Sequence, residues 1–248
     1  MKERLTNQIF VNEDDYQDKY RFDICRSIEE LNKLPLEFYV SGGVICQFFF
    51  KDHFRYVNDI DIVTKRDLKE VESIFRKHLN VVTFIISPIS DVYFVEVFTC
   101  LIEIDGKITQ IDGMRVDFFD EIKPEIYKVN ELVFKGVPIE YLLATKILAV
   151  TSKVERPFKH LVDAYSASLI NPSLIDKKEI KKYMVIYNNN ENKLRKTLNR
   201  PNNNLNFFID KDKIFSGSII LTTLQARYNI SKETMIEEVN KWLSTFKN

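Results

Sequence analysis

The 248-residue chain is short of several residue types, and each shortage excludes something. It has 6 Gly and 7 Pro, too few for a long flexible linker. Its three cysteines, Cys25, Cys46 and Cys100, are an odd and widely spaced set. They match no disulfide framework or metal-binding spacing, so reduced, mostly buried thiols are expected. The three histidines, His53, His78 and His160, are scattered and suggest no His/Cys metal site. No long apolar run is present: the stretch 94–104 is interrupted by Glu96 and Glu103, so no segment is expected to span a bilayer. The polar start, Met1-Lys2-Glu3-Arg4, lacks the apolar core of a secretion signal. These features together lead to the expectation of a cytoplasmic protein without membrane contact. Net charge is also missing, with 36 Lys plus Arg against 36 Asp plus Glu. That balance argues against strong nonspecific nucleic-acid binding and leaves room for a local basic surface.

What is present is the composition of a folded domain, 45% hydrophobic and 29% charged. The length suits one large domain, or a catalytic domain with a smaller companion. Spaced apolar positions predict an amphipathic helix over 13–34, stopped at Pro35. Short strands are expected at 38–40, 59–63 and 81–87, with helices at 44–50 and 67–79. Two longer strands, 92–104 and 107–119, flank Asp105-Gly106, a two-residue hairpin signal. A shorter strand pair around Lys135-Gly136 is expected within 131–139, and helices from Glu140 onward. Asn-rich clusters at 188–190 and 202–204 predict exposed loops, and Ser231 reads as the N-cap of a last helix with Ile236, Val239, Leu243 and Phe246 buried. The expected architecture is α/β (α+β): a small mixed, twisted sheet with flanking helices over 1–139, then a mainly helical region over 140–248.

Three features carry chemistry. Gly42-Gly43 falls at a strand-to-helix junction, where backbone N–H groups can approach a phosphate and the helix terminus favours negative charge. A tight turn alone would read the same way. Asp59-Ile60-Asp61 is expected on a strand, so its carboxylates would share one face, with Cα atoms about 6–7 Å apart, while Ile60 and Ile62 face the core. Two like charges so placed repel unless a cation lies between them, and magnesium, which takes oxygen ligands, is the natural candidate. A solvated edge strand is the plainer reading. Asp117, flanked by Val116 and Phe118, is a candidate third carboxylate, with Asp112 and Glu103 in reserve; a hairpin residue facing water is its alternative. Three such acids could hold two ions that activate an attacking oxygen and neutralise a leaving pyrophosphate.

Gly-Gly, an interval of about fifteen residues, Asp-x-Asp and a later strand Asp resemble the polymerase-β-like nucleotidyltransferase superfamily. More narrowly, Phe38-Tyr39-Val40-Ser41-Gly42-Gly43, Arg55-Tyr56-Val57-Asn58-Asp59-Ile60-Asp61, 137–146 and Arg156-Pro157-Phe158-Lys159-His160-Leu161-Val162-Asp163 are similar to successive motifs of the AbiEii-type (abortive infection, type IV toxin) nucleotidyltransferases. The similarity covers roughly 36–170. It departs at Val57, where the family usually has Ser or Thr, and at His160, where it usually has Asp. The resemblance implies Asp59, Asp61 and Asp117 as metal-holding catalytic residues, two Mg2+ ions, and an NTP held by Ser41, Gly42, Gly43, Lys146, Lys159 and Asp163. It further implies transfer of a nucleoside monophosphate to an RNA or tRNA acceptor, and an antitoxin protein as partner. A small-molecule, antibiotic-type nucleotidyltransferase and a non-catalytic nucleotide-binding module are the rival readings.

Lys146 also has a physical argument. At about 100° per residue it falls inside the apolar stripe of Leu142, Leu143, Ile147 and Val150, so it must snorkel or meet an anion. Lys159 and Asp163, four apart on one helix, read first as a surface ion pair. Residues 177–200 carry eight Lys/Arg against two Glu, interleaved with Tyr183 and Tyr187. They make a solvated helix face or an RNA-contacting one.

Overall fold

The computed structural model describes residues 3–6, 24–49, 57, 59–87, 95–151, 156–215 and 230–247, without the side chains of 3–6, 156–159, 213 and 215. The chain divides into two compact units, one of residues 1–48 and 56–138, the other of 49–55 and 139–248. No helix among the described residues is long and apolar enough to cross a membrane.

The first unit is built on the expected mixed sheet, which counts eight strands: β1 (Glu3–Thr6), β2 (Tyr39–Ser41), β3 (Ile60–Thr64), β4 (Asn80–Ser87), β5 (Glu96–Ile104), β6 (Lys107–Arg115), β7 (Glu125–Val129) and β8 (Leu132–Gly136). Their order is β1-β7-β8-β2-β3-β6-β5-β4. The pairs β1–β7, β8–β2 and β3–β6 are parallel and the rest antiparallel. The β5–β6 hairpin turns at Asp105 and Gly106, both at positive φ (51° and 75°), which matches the twist of the flanking strands.

The second hairpin turns elsewhere than expected. Lys135-Gly136 is inside a strand, and the chain reverses at Asn130-Glu131 between β7 and β8, with Asn130 at φ 53°. Asparagine tolerates the left-handed region that this turn needs. Gly136 serves packing, because a Cβ there would lie 2.6 Å from Ile45 and 2.7 Å from the Tyr127 ring.

Helices α1 (Ile24–Asn32) and α3 (Leu68–His78) cover one face of the sheet. Phe75 of α3 meets Phe84 and Phe98 edge-on, and the Ser27 hydroxyl of α1 bonds to that of Thr109. Asp67 caps α3 by accepting from the Lys69 N–H. Residues 13–23 of the helix expected over 13–34 lie outside the described residues. The helix after Gly-Gly, α2 (Gly42–Cys46), is only five residues long.

The second unit holds α4 (Ile139–Val150), α5 (Phe158–Ser168), α6 (Lys177–Thr197) and α7 (Lys232–Ser244), with a two-stranded ribbon of β9 (Arg156–Pro157) and β10 (Ile214–Phe215). α4 packs on α5 and α6, and α5 on α7. Asn188-Asn189-Asn190, expected as a loop, lies within the 21-residue α6. Anchors on both sides override the weak helix propensity of asparagine. Before the triplet, Ile180, Tyr183 and Met184 are buried; after it, the Asn192 side chain donates to the Asn203 carbonyl and accepts from its N–H. Ser231 caps α7 through the Thr234 N–H, and the expected stripe of α7 is buried.

Candidate functional site

The glycine turn and the Asp-x-Asp strand meet. Ser41 of β2 is registered against Asp61 of β3, and the Gly43 N–H donates to Asp61 Oδ2 at 3.4 Å. Gly42 has φ 60°, and a Cβ built on it would lie 1.6 Å from Asp61 Oδ2. Two independent reasons therefore require glycine at position 42: the left-handed backbone and the carboxylate against it. At the N-terminus of α2 the partial positive charge of the peptide groups favours that carboxylate. The N–H groups expected to face a phosphate thus first meet an acid of the chain itself.

Asp61 is in turn registered against Asp112 of β6, which is registered against Thr99 of β5, which is registered against Ile85 of β4. Cross-strand partners share a face, so Ser41, Asp61, Asp112, Thr99 and Ile85 form one row across five strands spaced about 4.8 Å apart. Asp59, two residues before Asp61, directly precedes β3 and is half-buried. The Asp112 carboxylate is clamped, with Thr99 Oγ1 donating to Oδ1 at 2.7 Å and Gln110 Nε2 to Oδ2 at 2.9 Å. The opposite face, with Phe98, Cys100, Thr109 and Ile111, belongs to the core under α1 and α3.

Asp117, expected as the third carboxylate, is not in this row. β6 ends at Arg115, registered against Thr64 at the far end of β3. Asp117 lies five residues beyond Asp112, on the order of 15 Å along an extended strand. Its side chain is 72% exposed and lies 3.8 Å from Arg115 Nη2. Hydrophobic anchoring explains this. Val116, Phe118 and Phe119 are buried, Phe119 stacks on Tyr39 at 4.3 Å between ring centroids, and Asp117 is left facing water. Asp112, the reserve candidate, is the acid registered against Asp61. Glu103 is exposed near the hairpin end, where it accepts from Asn80.

Thr99 and Gln110 were not singled out from sequence. The hairpin signal held the information for one of them. A two-residue loop at Asp105-Gly106 pairs Ile104 with Lys107, and counting back along both strands sets Thr99 opposite Asp112.

Among the described residues, no group of three His, Cys, Asp or Glu side chains is close enough as it stands to hold a metal ion. Magnesium needs no such cage: it binds through one or two carboxylates and completes its shell with water and substrate phosphates. Hard oxygen donors on one face, beside a turn kept free of Cβ bulk, fit that ion. They do not fit a thiolate- or imidazole-bound metal.

In the helical unit, Lys146 Nζ donates to Asp163 Oδ2 at 2.7 Å, with both residues buried. Asp163 of α5 is thus an anion that Lys146 meets inside the apolar stripe. The Asp163 partner expected from spacing, Lys159, has a side chain outside the described residues. Beside this pair, the Tyr141 hydroxyl bonds to that of Tyr187, and burial pushes both phenols well above their usual range.

No family model matches the chain, and no curated protein matches it. Among solved structures it is similar to a candidate nucleotidyltransferase from H. pylori, at 13% identity over 88% of this chain and 89% of that one, with TM-score 0.46. JHP933 from Helicobacter pylori gives 14% identity, coverage of 88% and 86%, and TM-score 0.42. An antigenic nucleotidyltransferase-like protein from Paracoccidioides brasiliensis gives 13% identity, coverage of 87% and 88%, and TM-score 0.34. At these values the similarity places the chain in no family.

Proposed function

We propose that this chain is a magnesium-dependent nucleotidyltransferase whose catalytic carboxylates are Asp59, Asp61 and Asp112. The observation that carries the reading is the register of Asp61 against Asp112, beside a glycine turn where no side chain fits. The sequence motifs point the same way from independent positions.

In this reaction an acceptor hydroxyl attacks the α-phosphorus of an NTP. The bond from that phosphorus to the β-phosphate oxygen breaks, pyrophosphate leaves, and the hydroxyl proton passes to a carboxylate of the row. Magnesium bound by Asp59, Asp61 and Asp112 would neutralise charge on the phosphates and activate the attacking oxygen. The residues of the chain prepare that chemistry. Gly42 keeps the space beside Asp61 open. Thr99 and Gln110 fix both oxygens of Asp112, so its remaining lone pairs keep one direction. The core under the opposite face keeps β3, β5 and β6 rigid, which holds the acids in register.

The resemblance to AbiEii-type toxins supports an RNA acceptor, tRNA included, and an antitoxin partner. The test incubates the protein with each labelled triphosphate, magnesium and total RNA. Transfer of label by wild type, abolished by chelator and by Asp61→Asn or Asp112→Asn, is expected. Equal labelling by wild type and Asp112→Asn would sink the assignment of the third carboxylate.

A further inference from the structure

We propose that β4 is a self-association edge, at which two copies of this chain pair antiparallel about a two-fold axis through Ile85. The inference is independent of the catalytic reading. β4 ends the sheet and pairs only with β5 among the described residues. From Thr83 to Ser87 nothing among the described residues hydrogen-bonds to its outer side. Every second residue there presents an N–H and a C=O that a neighbouring strand would satisfy.

Edge strands of monomeric proteins are normally short, or carry Lys, Pro or inward-pointing charge. This one has eight residues, Asn-Val-Val-Thr-Phe-Ile-Ile-Ser, and no charge. Val82 is 53% exposed and Ile85 55%, with Ile86 also exposed. Its one irregularity, the register shift between Val81 and Thr83, lies at its start and leaves Thr83–Ser87 regular.

The sequence of that segment selects a second copy as the occupant. With Ile85 on the axis, antiparallel pairing sets Ile85 against Ile85 of the other protomer, Ile86 against Phe84, and Thr83 against Ser87. Each contact joins apolar to apolar or hydroxyl to hydroxyl, and no like charges face each other. A strand running parallel to β4 could not obey a two-fold axis normal to the sheet. Five paired residues on each side bury well under the roughly 800 Å2 per partner of a stable interface, so the dimer should be weak and concentration-dependent. Ile85 shares the face of Thr99, Asp112 and Asp61, so the joined sheet would carry both acid rows on one face.

The test combines sedimentation across a concentration series with cysteine cross-linking. Wild type should show reversible dimerisation, and Ile85→Lys, which opposes two ammonium groups across the axis, should lose it while keeping its far-ultraviolet circular dichroism. Ile85→Cys, with Cβ atoms about 5 Å apart across the axis, should form a disulfide-linked dimer on mild oxidation. Thr83→Cys should not, because its mate stands four residues away, roughly 13 Å. Wild-type protein, whose Cys46 and Cys100 are buried and Cys25 half-buried, is the oxidation control. A wild type monomeric at every concentration would overturn the proposal, as would a dimer that survives Ile85→Lys. Equal cross-linking through Thr83→Cys and Ile85→Cys would overturn the two-fold register. A monomer that instead binds an added β-strand peptide would replace the second copy with a foreign partner and count against the proposal.

Discussion

Gly42 and Asp61 form a single unit at the scale of residues. The carboxylate occupies the space that any side chain at position 42 would need, and the backbone there is left-handed. Gly42→Ala should therefore lower stability by at least about 1–2 kcal/mol for the backbone alone, and displace Asp61 as well. A thermal melt should show the first effect. The second should appear as loss of transfer comparable to that of Asp61→Asn, without any change at an acid. Asp112 and Asp117 make a sharper pair. Asp112 is clamped by two donors within the row, and Asp117 faces water beside Arg115. Asp112→Asn should reduce the transfer rate at least about 100-fold and Asp117→Asn by less than about threefold. Thr99→Val, which frees one oxygen of Asp112, should fall between them at roughly 10-fold, mostly as a higher magnesium requirement.

The element scale separates what helices carry from what strands carry. The β5–β6 hairpin holds Asp112 to Thr99 through a turn whose two residues both accept positive φ. Its register was readable from Asp105-Gly106 alone. α4 and α5 are joined by the buried bond of Lys146 to Asp163. Removing one member of a buried ion pair costs about 3–5 kcal/mol. Lys146→Met should destabilise by that order in urea, and Lys146→Met combined with Asp163→Leu should recover most of the loss. If the double variant is no more stable than the single one, the pair is not what links these helices. Helix α6 shows how packing overrides composition, because three successive asparagines stay helical between a buried first half and the Asn192–Asn203 clasp.

For the whole molecule, burial sets the response to alkali. The Cys100 thiol is pushed up from 9.0 to about 12 by desolvation, and burial raises the Tyr141 and Tyr187 phenols above their usual range as well. A folded-state pKa above the unfolded one gives stability that is complete below the unfolded value and declines as pH rises toward the folded one. Unfolding free energy should thus begin to fall near pH 9, by up to about 1.4 kcal/mol per pH unit for Cys100, and more steeply above pH 10 as the tyrosines join. Cys100→Ala should flatten the first part of that decline relative to its own value at pH 7, in denaturant titrations at stepped pH. How much of this was legible from sequence divides along one line. Local signals sufficed for the Asp105-Gly106 hairpin, the cap at Ser231, the buried stripe of α7, the mixed α/β class, and the strand that carries Asp61. Each rests on residues close along the chain, where backbone preference and periodicity act directly. Only the tertiary structure decided that Asp112 rather than Asp117 stands beside Asp61, that Gly42 is held open against Asp61, that Lys146 meets Asp163, and that β4 is left at the edge. Those depend on the parallel register of β3 on β6 and on helix packing, which join residues 17 to 51 apart in sequence. Nothing local fixes such a register; it follows from which apolar side chains fill the shared core, and that is settled only when the whole sheet closes over it.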